Sequence, residues 1–322
     1  MRRRTREVVA RPVAIPEVAS APFRVRAGCN VGRAALESWP VFPGPLAPSD
    51  CFRVVEPRGA ETPVVFEVPH AGLLLDATAL STLLVSARSL ARDADLFVDE
   101  LVTDVGDHGA TTLIAHTSRY FLDLNRRDDE VDRHAVEGAN GDSAPHGLLW
   151  HRSTDGDRAL SAPLSRSELE RRLALVYRPY HATLRRLLDE RRERFGHAIL
   201  VCAHSMPSLG ISYVSGREVP RADIVPGTRG RTSAAAAIID HVDRHARNHG
   251  MSVRHDDPYR GGFSTQHYGD PAGGIHAIQI EVARRLYMDE PSLRRRPDGI
   301  AAMRRFYREL AQSLGVLHHS AR

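Results

Sequence analysis

The chain has 322 residues, 42% of them hydrophobic and 26% charged, with a formal net charge of +4. This is the composition of an ordinary globular protein able to bury a large core, and no apolar run approaches the ~18 residues of a membrane helix. Every Lys or Arg in the chain is an arginine, and the absence of lysine excludes Schiff-base chemistry, pyridoxal phosphate attachment and a Walker-type phosphate loop.

Residues 1–50 are rich in Pro, Ala and Arg, show no sustained period and read as an N-terminal extension, partly disordered or wrapped on the surface. The opening Met1-Arg2-Arg3-Arg4 lacks the apolar core of a signal peptide, because Arg11, Pro12 and Pro16 interrupt it, so a cytoplasmic location is expected. One compact domain, residues 51–322, is expected from there. A strand over Val64–Val68 delivers His70 just past its end. A helix over 93–105, beginning Asp93-Ala94-Asp95, precedes a strand over Thr111–Ala115. The polar, glycine-bearing stretch 127–162 is too long for a simple connector and is a candidate lid. A long helix over 167–194 starts at Ser165 and Ser167, with Glu168 and Glu170 in its first turn, where carboxylates suit the helix dipole. A strand over 198–203 delivers His204, a helix over 233–249 closes at Gly250, a strand over 277–282 carries Glu281, and a helix over 298–314 ends the domain. Alternating short apolar strands and helices predict an α/β fold, a mostly parallel mixed sheet with helices on both faces.

Ligands in such sheets gather at the carboxyl ends of the strands, where His70 and His204 both fall. Two histidines with a carboxylate from the acidic helix start can hold a Zn²⁺ that keeps one position open for water. Glu281 is a lone carboxylate on the Gln279 face of a strand whose other face carries Ile278, Ile280 and Val282. Such a group needs a cation or hydrogen bonds, and it is the candidate base; an ion pair with an arginine is the structural alternative. Asn125 with Arg126, and Arg260 beside Gly261-Gly262, are candidate grips for substrate carboxylates, and Arg119 lies in the same segment as the first pair. His267 and Thr228 are further candidates for substrate binding. Cys29, Cys51 and Cys202 are too few and too scattered for a disulfide framework. The basic clusters at 2–4, 191–194 and 294–296 come without a finger or RNA-binding motif, so neither a nucleic-acid nor a membrane partner is expected.

The motifs Val68-Pro69-His70-Ala71-Gly72, Asp93-Ala94-Asp95, Ser118-Arg119-Tyr120, Asp123-Leu124-Asn125-Arg126, Tyr180-His181 and Ala203-His204-Ser205-Met206 occur in one order. They continue with Asp223-Ile224-Val225-Pro226-Gly227, Tyr259-Arg260-Gly261-Gly262, His267-Tyr268-Gly269, Gln279-Ile280-Glu281 and Tyr287-Met288. In this the chain resembles the N-formylglutamate amidohydrolase family, relatives of the zinc carboxypeptidases and aspartoacylase. The resemblance implies a phosphorylase/hydrolase-like, zinc-exopeptidase-like fold and zinc-dependent hydrolysis of N-formyl-L-glutamate to glutamate and formate, a step of histidine degradation. It implies His70 and His204 as zinc ligands, Asn125 with Arg126 as a carboxylate grip and Glu281 as general base. Arg126 or Arg260 would steady the oxyanion while the other anchors a carboxylate. The zinc peptidases place a glutamate ligand three residues after the first histidine, where this chain has Leu73. The carboxylate ligand is therefore assigned to Asp95, with Asp93 and Glu100 as alternatives. A zinc amidohydrolase for another N-acyl amino acid or short peptide, and a metal-free homologue without activity, are the competing readings.

Overall fold

A computed structural model describes residues 46–141, 145–211 and 216–317, so most of the expected N-terminal extension lies outside the described residues. Ten strands follow in chain order: β1 (Phe52–Val55), β2 (Val64–Val68), β3 (Thr111–Ala115), β4 (Ala198–Met206), β5 (Leu209–Ile211), β6 (Glu218–Pro220), β7 (Ile224–Gly227), β8 (Ile275–Ala283), β9 (Met288–Asp289) and β10 (Arg294–Arg295). Six of them form one sheet in the order β1-β3-β2-β4-β8-β7, while β5 with β6 and β9 with β10 form two small ribbons. The inner strands β3, β2, β4 and β8 run parallel, and the edge strands β1 and β7 are antiparallel to their neighbours.

The all-apolar character of the inner strands follows from burial on both faces. On one face Val65, Leu113, Leu200 and Ala277 pack under Tyr180, Leu184, Leu187 and Leu188 of the helix Arg178–Phe195. On the other, Phe66, Val68, Val201, Ile278 and Ile280 pack under Ile238 and Val242 of the helix Ala236–Asn248 and under Met303, Phe306 and Leu310 of the helix Pro297–Gly315. Among the described residues no helix is long and apolar enough to cross a membrane.

Strands β2 and β3 have the expected limits. Strands β4 and β8 run longer than expected, so His204 sits inside a strand instead of just beyond one. The long helix is capped by Ser165, whose Oγ accepts from the Glu168 amide at 3.2 Å, and it passes through a π turn at Leu173–Tyr177 before ending at Gly196.

One expectation needs correction. The helix expected over 93–105 does not form: a helix Ala87–Asp93 ends where that one was to begin, and a short helix Val98–Leu101 follows after Phe97, which has φ 68°. Arginines remote in sequence cause the break by taking the last carbonyls of Ala87–Asp93. Arg284 donates to the carbonyls of Arg92 (2.6 Å) and Ala94 (2.7 Å), and Arg119 donates to that of Asp93 (3.1 Å). The stretch 127–162, the candidate lid, supplies His146, Trp150 and Thr154 to the pocket lining, and its described part is more than a cover. It buries Ala135, Val136, Leu148, Leu149, Trp150 and Leu160 in the core and is bridged to Leu83 and Leu164.

Candidate metal centre and substrate pocket

The carboxyl ends of the parallel strands converge on a pocket of about 520 Å³. His70 lies two residues past the end of β2, and β4 carries His204 directly beside Glu281 of β8 in the strand register. Asp95 comes from the loop after the helix Ala87–Asp93, held by a hydrogen bond from its amide to the His70 carbonyl at 3.0 Å. Ligand-type atoms of His70, Asp95 and His204 all fall within 4.8 Å of one another, and the three residues are buried. Asp95 Oδ2 is 3.1 Å from His204 Nδ1 and 3.6 Å from His70 Nδ1. Burial opposes charge on Asp95, but the hydrogen bonds and charge of His204 and His70 hold its carboxyl well below the usual range.

Behind this cluster stands Asp123, fully buried on the segment after β3. Its Oδ1 accepts from His70 Nε2 at 2.7 Å and from the Asn125 amide at 2.9 Å, and its Oδ2 accepts from Arg119 Nη2 and Trp150 Nε1, each at 2.9 Å. Burial again opposes the charge, and His70, Arg119 and Arg126 override it, so the carboxyl stays well below the usual range. A carboxylate on one ring nitrogen turns the lone pair of the other toward a cation, which suits His70 Nδ1 as a ligand atom. Two imidazoles and a depressed carboxylate with a supporting second carboxylate thus fit a divalent metal such as zinc.

Glu281 opens on the pocket at 6% exposure. Burial pushes its carboxyl up to about 7, against the pull of His204, and Gln279 Nε2 donates to its Oε1 at 2.8 Å. Gln279 Oε1 in turn accepts from the Gly262 amide at 2.8 Å. Asn125 is pinned beside them, because its Oδ1 accepts from the Ser264 amide at 2.9 Å and its Nδ2 lies 3.4 Å from Gln279 Oε1. A Cβ on Gly262 would fall 2.3 Å from the Asn125 amide, so the close approach requires glycine.

The pocket arginines differ in how far they are occupied. Arg119 is locked on Asp123 and stacks over Trp150 at 4.2 Å. Arg126 donates to the His146 carbonyl at 2.7 Å and the Asn125 carbonyl at 2.9 Å. Arg260 is exposed on the rim; its carbonyl accepts from the Arg229 amide at 2.8 Å, and its guanidinium makes no hydrogen bond or ion pair with a described residue.

Three expected residues lie elsewhere. Glu100 pairs with Arg295. Thr228 is buried, with its Oγ1 and amide both on Asp256, and does not line the pocket. His267 sits on the exposed side of the helix Phe263–Tyr268, its ring stacked on Phe263 at 4.8 Å, also outside the pocket lining. Asp93 does line the pocket, but Tyr120 Oη at 2.5 Å and Thr154 occupy it. Sequence reasoning passed over Asp123 although it stands two residues before Asn125 in a quoted motif, and over Ser205, Arg284 and Trp150.

The family model for N-formylglutamate amidohydrolase matches residues 62–288. An N-formylglutamate deformylase of Pseudomonas putida is 37% identical over 231 residues, 71% of this chain and 82% of that protein. One from Pseudomonas aeruginosa is 34% identical over 262 residues, 80% of this chain and 94% of that protein. The crystal structure of N-formylglutamate amidohydrolase from Ralstonia eutropha JMP134 superposes with a TM-score of 0.76 at 31% identity, over 82% of this chain and 97% of that one. With a match spanning sheet and pocket alike, and relatives aligned over most of their own length, the chain belongs to the N-formylglutamate amidohydrolase family.

Proposed function

We propose that this chain hydrolyses the formyl amide of N-formyl-L-glutamate to L-glutamate and formate, with a divalent metal, zinc, held by His70, Asp95 and His204. The observation that carries the reading is the convergence of those three ligand-type side chains beside Glu281, at the floor of a pocket rimmed by arginines. A cation held there would supply Lewis acidity and would make a water acidic enough to act as a nucleophile near neutral pH.

Glu281 takes the proton of the attacking water as the water oxygen bonds to the formyl carbon. A carboxylate pushed up to about 7 by burial is a better base than an ordinary glutamate at the same pH. When the C–N bond breaks, Glu281 returns the proton to the departing amine, so water is divided between formate and the free amino group. Gln279 keeps Glu281 pointed into the pocket through its 2.8 Å hydrogen bond. Arg126, with Asn125, and Arg260, whose guanidinium has no partner among the described residues, hold the two substrate carboxylates, a task for which arginine's forked donors are suited. Arg119 serves the same site from behind, through Asp123.

The test is formate release from N-formyl-L-glutamate by the zinc-loaded protein at neutral pH. Saturable turnover that chelator abolishes is expected. Folded, zinc-replete protein that releases no formate rejects this substrate and leaves other N-acyl amino acids as the next class to assay.

A further inference from the structure

We propose that Arg284 and Ser205 form a clamp on Asp95 that presents one carboxylate oxygen to the metal and thereby sets metal affinity; the inference rests on the metal reading above. Arg284 is the first residue after β8, three beyond Glu281, and is 5% exposed. Its Nη1 donates to the Arg92 carbonyl at 2.6 Å and its Nη2 to the Ala94 carbonyl at 2.7 Å. Its Nε donates to Ser205 Oγ at 3.1 Å, and Nη2 also lies 3.4 Å from Asp95 Oδ1. Ser205 Oγ, accepting from Arg284, donates its own proton to Asp95 Oδ1 at 3.2 Å.

The consequence is an asymmetric carboxylate. Asp95 Oδ1 is engaged by Ser205 and Arg284, and Oδ2 alone faces the two histidines. Asp95 stands in an irregular stretch between two short helices, so its backbone alone fixes the side-chain direction poorly. The clamp supplies what the backbone lacks. It also ties together the three elements that carry the chemistry: β8 with Glu281, β4 with His204, and the loop with Asp95. Because its donors are already committed to the loop and to Ser205, Arg284 is a positioning residue and, unlike Arg260, is not free to grip substrate.

The experiment compares wild type with Ser205→Ala and Arg284→Lys by zinc competition against a chromophoric chelator, with circular dichroism and thermal unfolding establishing that each variant folds. Ser205→Ala removes two hydrogen bonds, those to Asp95 and from Arg284, with little change in volume, so it decides the matter if Arg284→Lys fails to fold. Lysine keeps the charge but lacks the planar fork that reaches two carbonyls and a hydroxyl together. Wild type is expected to bind one zinc per chain and the variants to bind it about 10–100-fold more weakly, the usual cost of losing an outer-shell partner. At saturating zinc, KM for N-formyl-L-glutamate should stay at the wild-type value. A lower melting temperature with unchanged zinc affinity would reduce the clamp to a structural role and overturn the proposal. Failure of the wild type itself to bind zinc would instead remove the metal reading, and the clamp's role with it.

Discussion

Two carboxylates that are both fully buried lie on either side of Asn125, and their surroundings drive them in opposite directions. Asp123 bonds to the Asn125 amide and faces Arg119, His70 and Trp150 Nε1, so it remains ionised. Glu67, the second-last residue of β2, reaches Asn125 through Ser264, whose Oγ donates to Glu67 Oε1 at 2.9 Å and whose amide donates to Asn125 Oδ1. The other hydrogen-bond partners of Glu67 are neutral too: the Tyr180 hydroxyl at 3.2 Å and the Cys202 thiol. Burial therefore pushes the Glu67 carboxyl up, and its neutral partners together with the charge of His204 only partly offset that. Depth does not decide the charge of a buried acid; the presence of a cation that can share the site does.

Removing the charged member should have the largest effect. Asp123→Ala leaves Arg119 in the interior without its carboxylate and His70 without the partner that orients its ring. Breaking such a buried pair costs on the order of 3–5 kcal/mol, to be read by urea denaturation, and zinc affinity should fall as well. The pH dependence has a definite sign. A folded-state pKa held below the unfolded value gives Asp123 and Asp95 a stabilising contribution that is complete above about pH 4 and lost as pH falls through their folded values. Wild-type stability should thus decline steeply on the acid side, and Asp123→Asn should flatten that decline. An equally steep decline in the variant would remove Asp123 from the set of depressed carboxyls.

Glu281 stands between these extremes, with its carboxyl pushed up to about 7 yet open to the pocket. Glu281→Gln keeps the hydrogen-bonding outline and should leave folding and zinc content intact while kcat falls about 10²–10⁴-fold, the usual contribution of a positioned base. Near-normal turnover in that variant would exclude Glu281 as the base.

The sequence makes Glu67 and Glu281 look alike, since each is a single carboxylate in an otherwise apolar strand. Only Glu281 attracted a functional reading; each is second-last in its expected strand, and it is the register that sets Glu281 against His204 and Glu67 against Cys202. The sheet itself was legible for the same reason: runs such as Val64–Val68 and Thr111–Ala115 are buried on both faces and carry no competing pattern. The helix expected over 93–105 failed because its limit is set by Arg119 and Arg284, which arrive from 26 and about 190 residues away. Asp123, Ser205 and Arg284 escaped notice on similar grounds. Each acts through another side chain, and no spacing along the chain marks such a role. Thr228 and His267 show the converse: polar residues beside or inside recognisable motifs that serve a turn and a helix surface.

The smallest effect belongs to Glu67→Gln. If Glu67 is protonated in the fold, the amide replaces an uncharged group of nearly the same shape, and its oxygen can still accept from Ser264 and Tyr180. A change within about 1 kcal/mol at pH 5 is expected, in contrast to the cost of losing a buried ion pair. A pKa raised above its unfolded value contributes stability that is complete below that value and is lost as pH rises through the folded one. Glutamine does not titrate, so the variant should gain on wild type as pH is raised from about 4.5 toward 8, the opposite slope to that set by Asp123. A Glu67→Gln protein that is strongly destabilised at neutral pH, with the loss growing as pH rises, would mean that Glu67 is ionised, and that the two carboxylates flanking Asn125 are held in the same charge state after all.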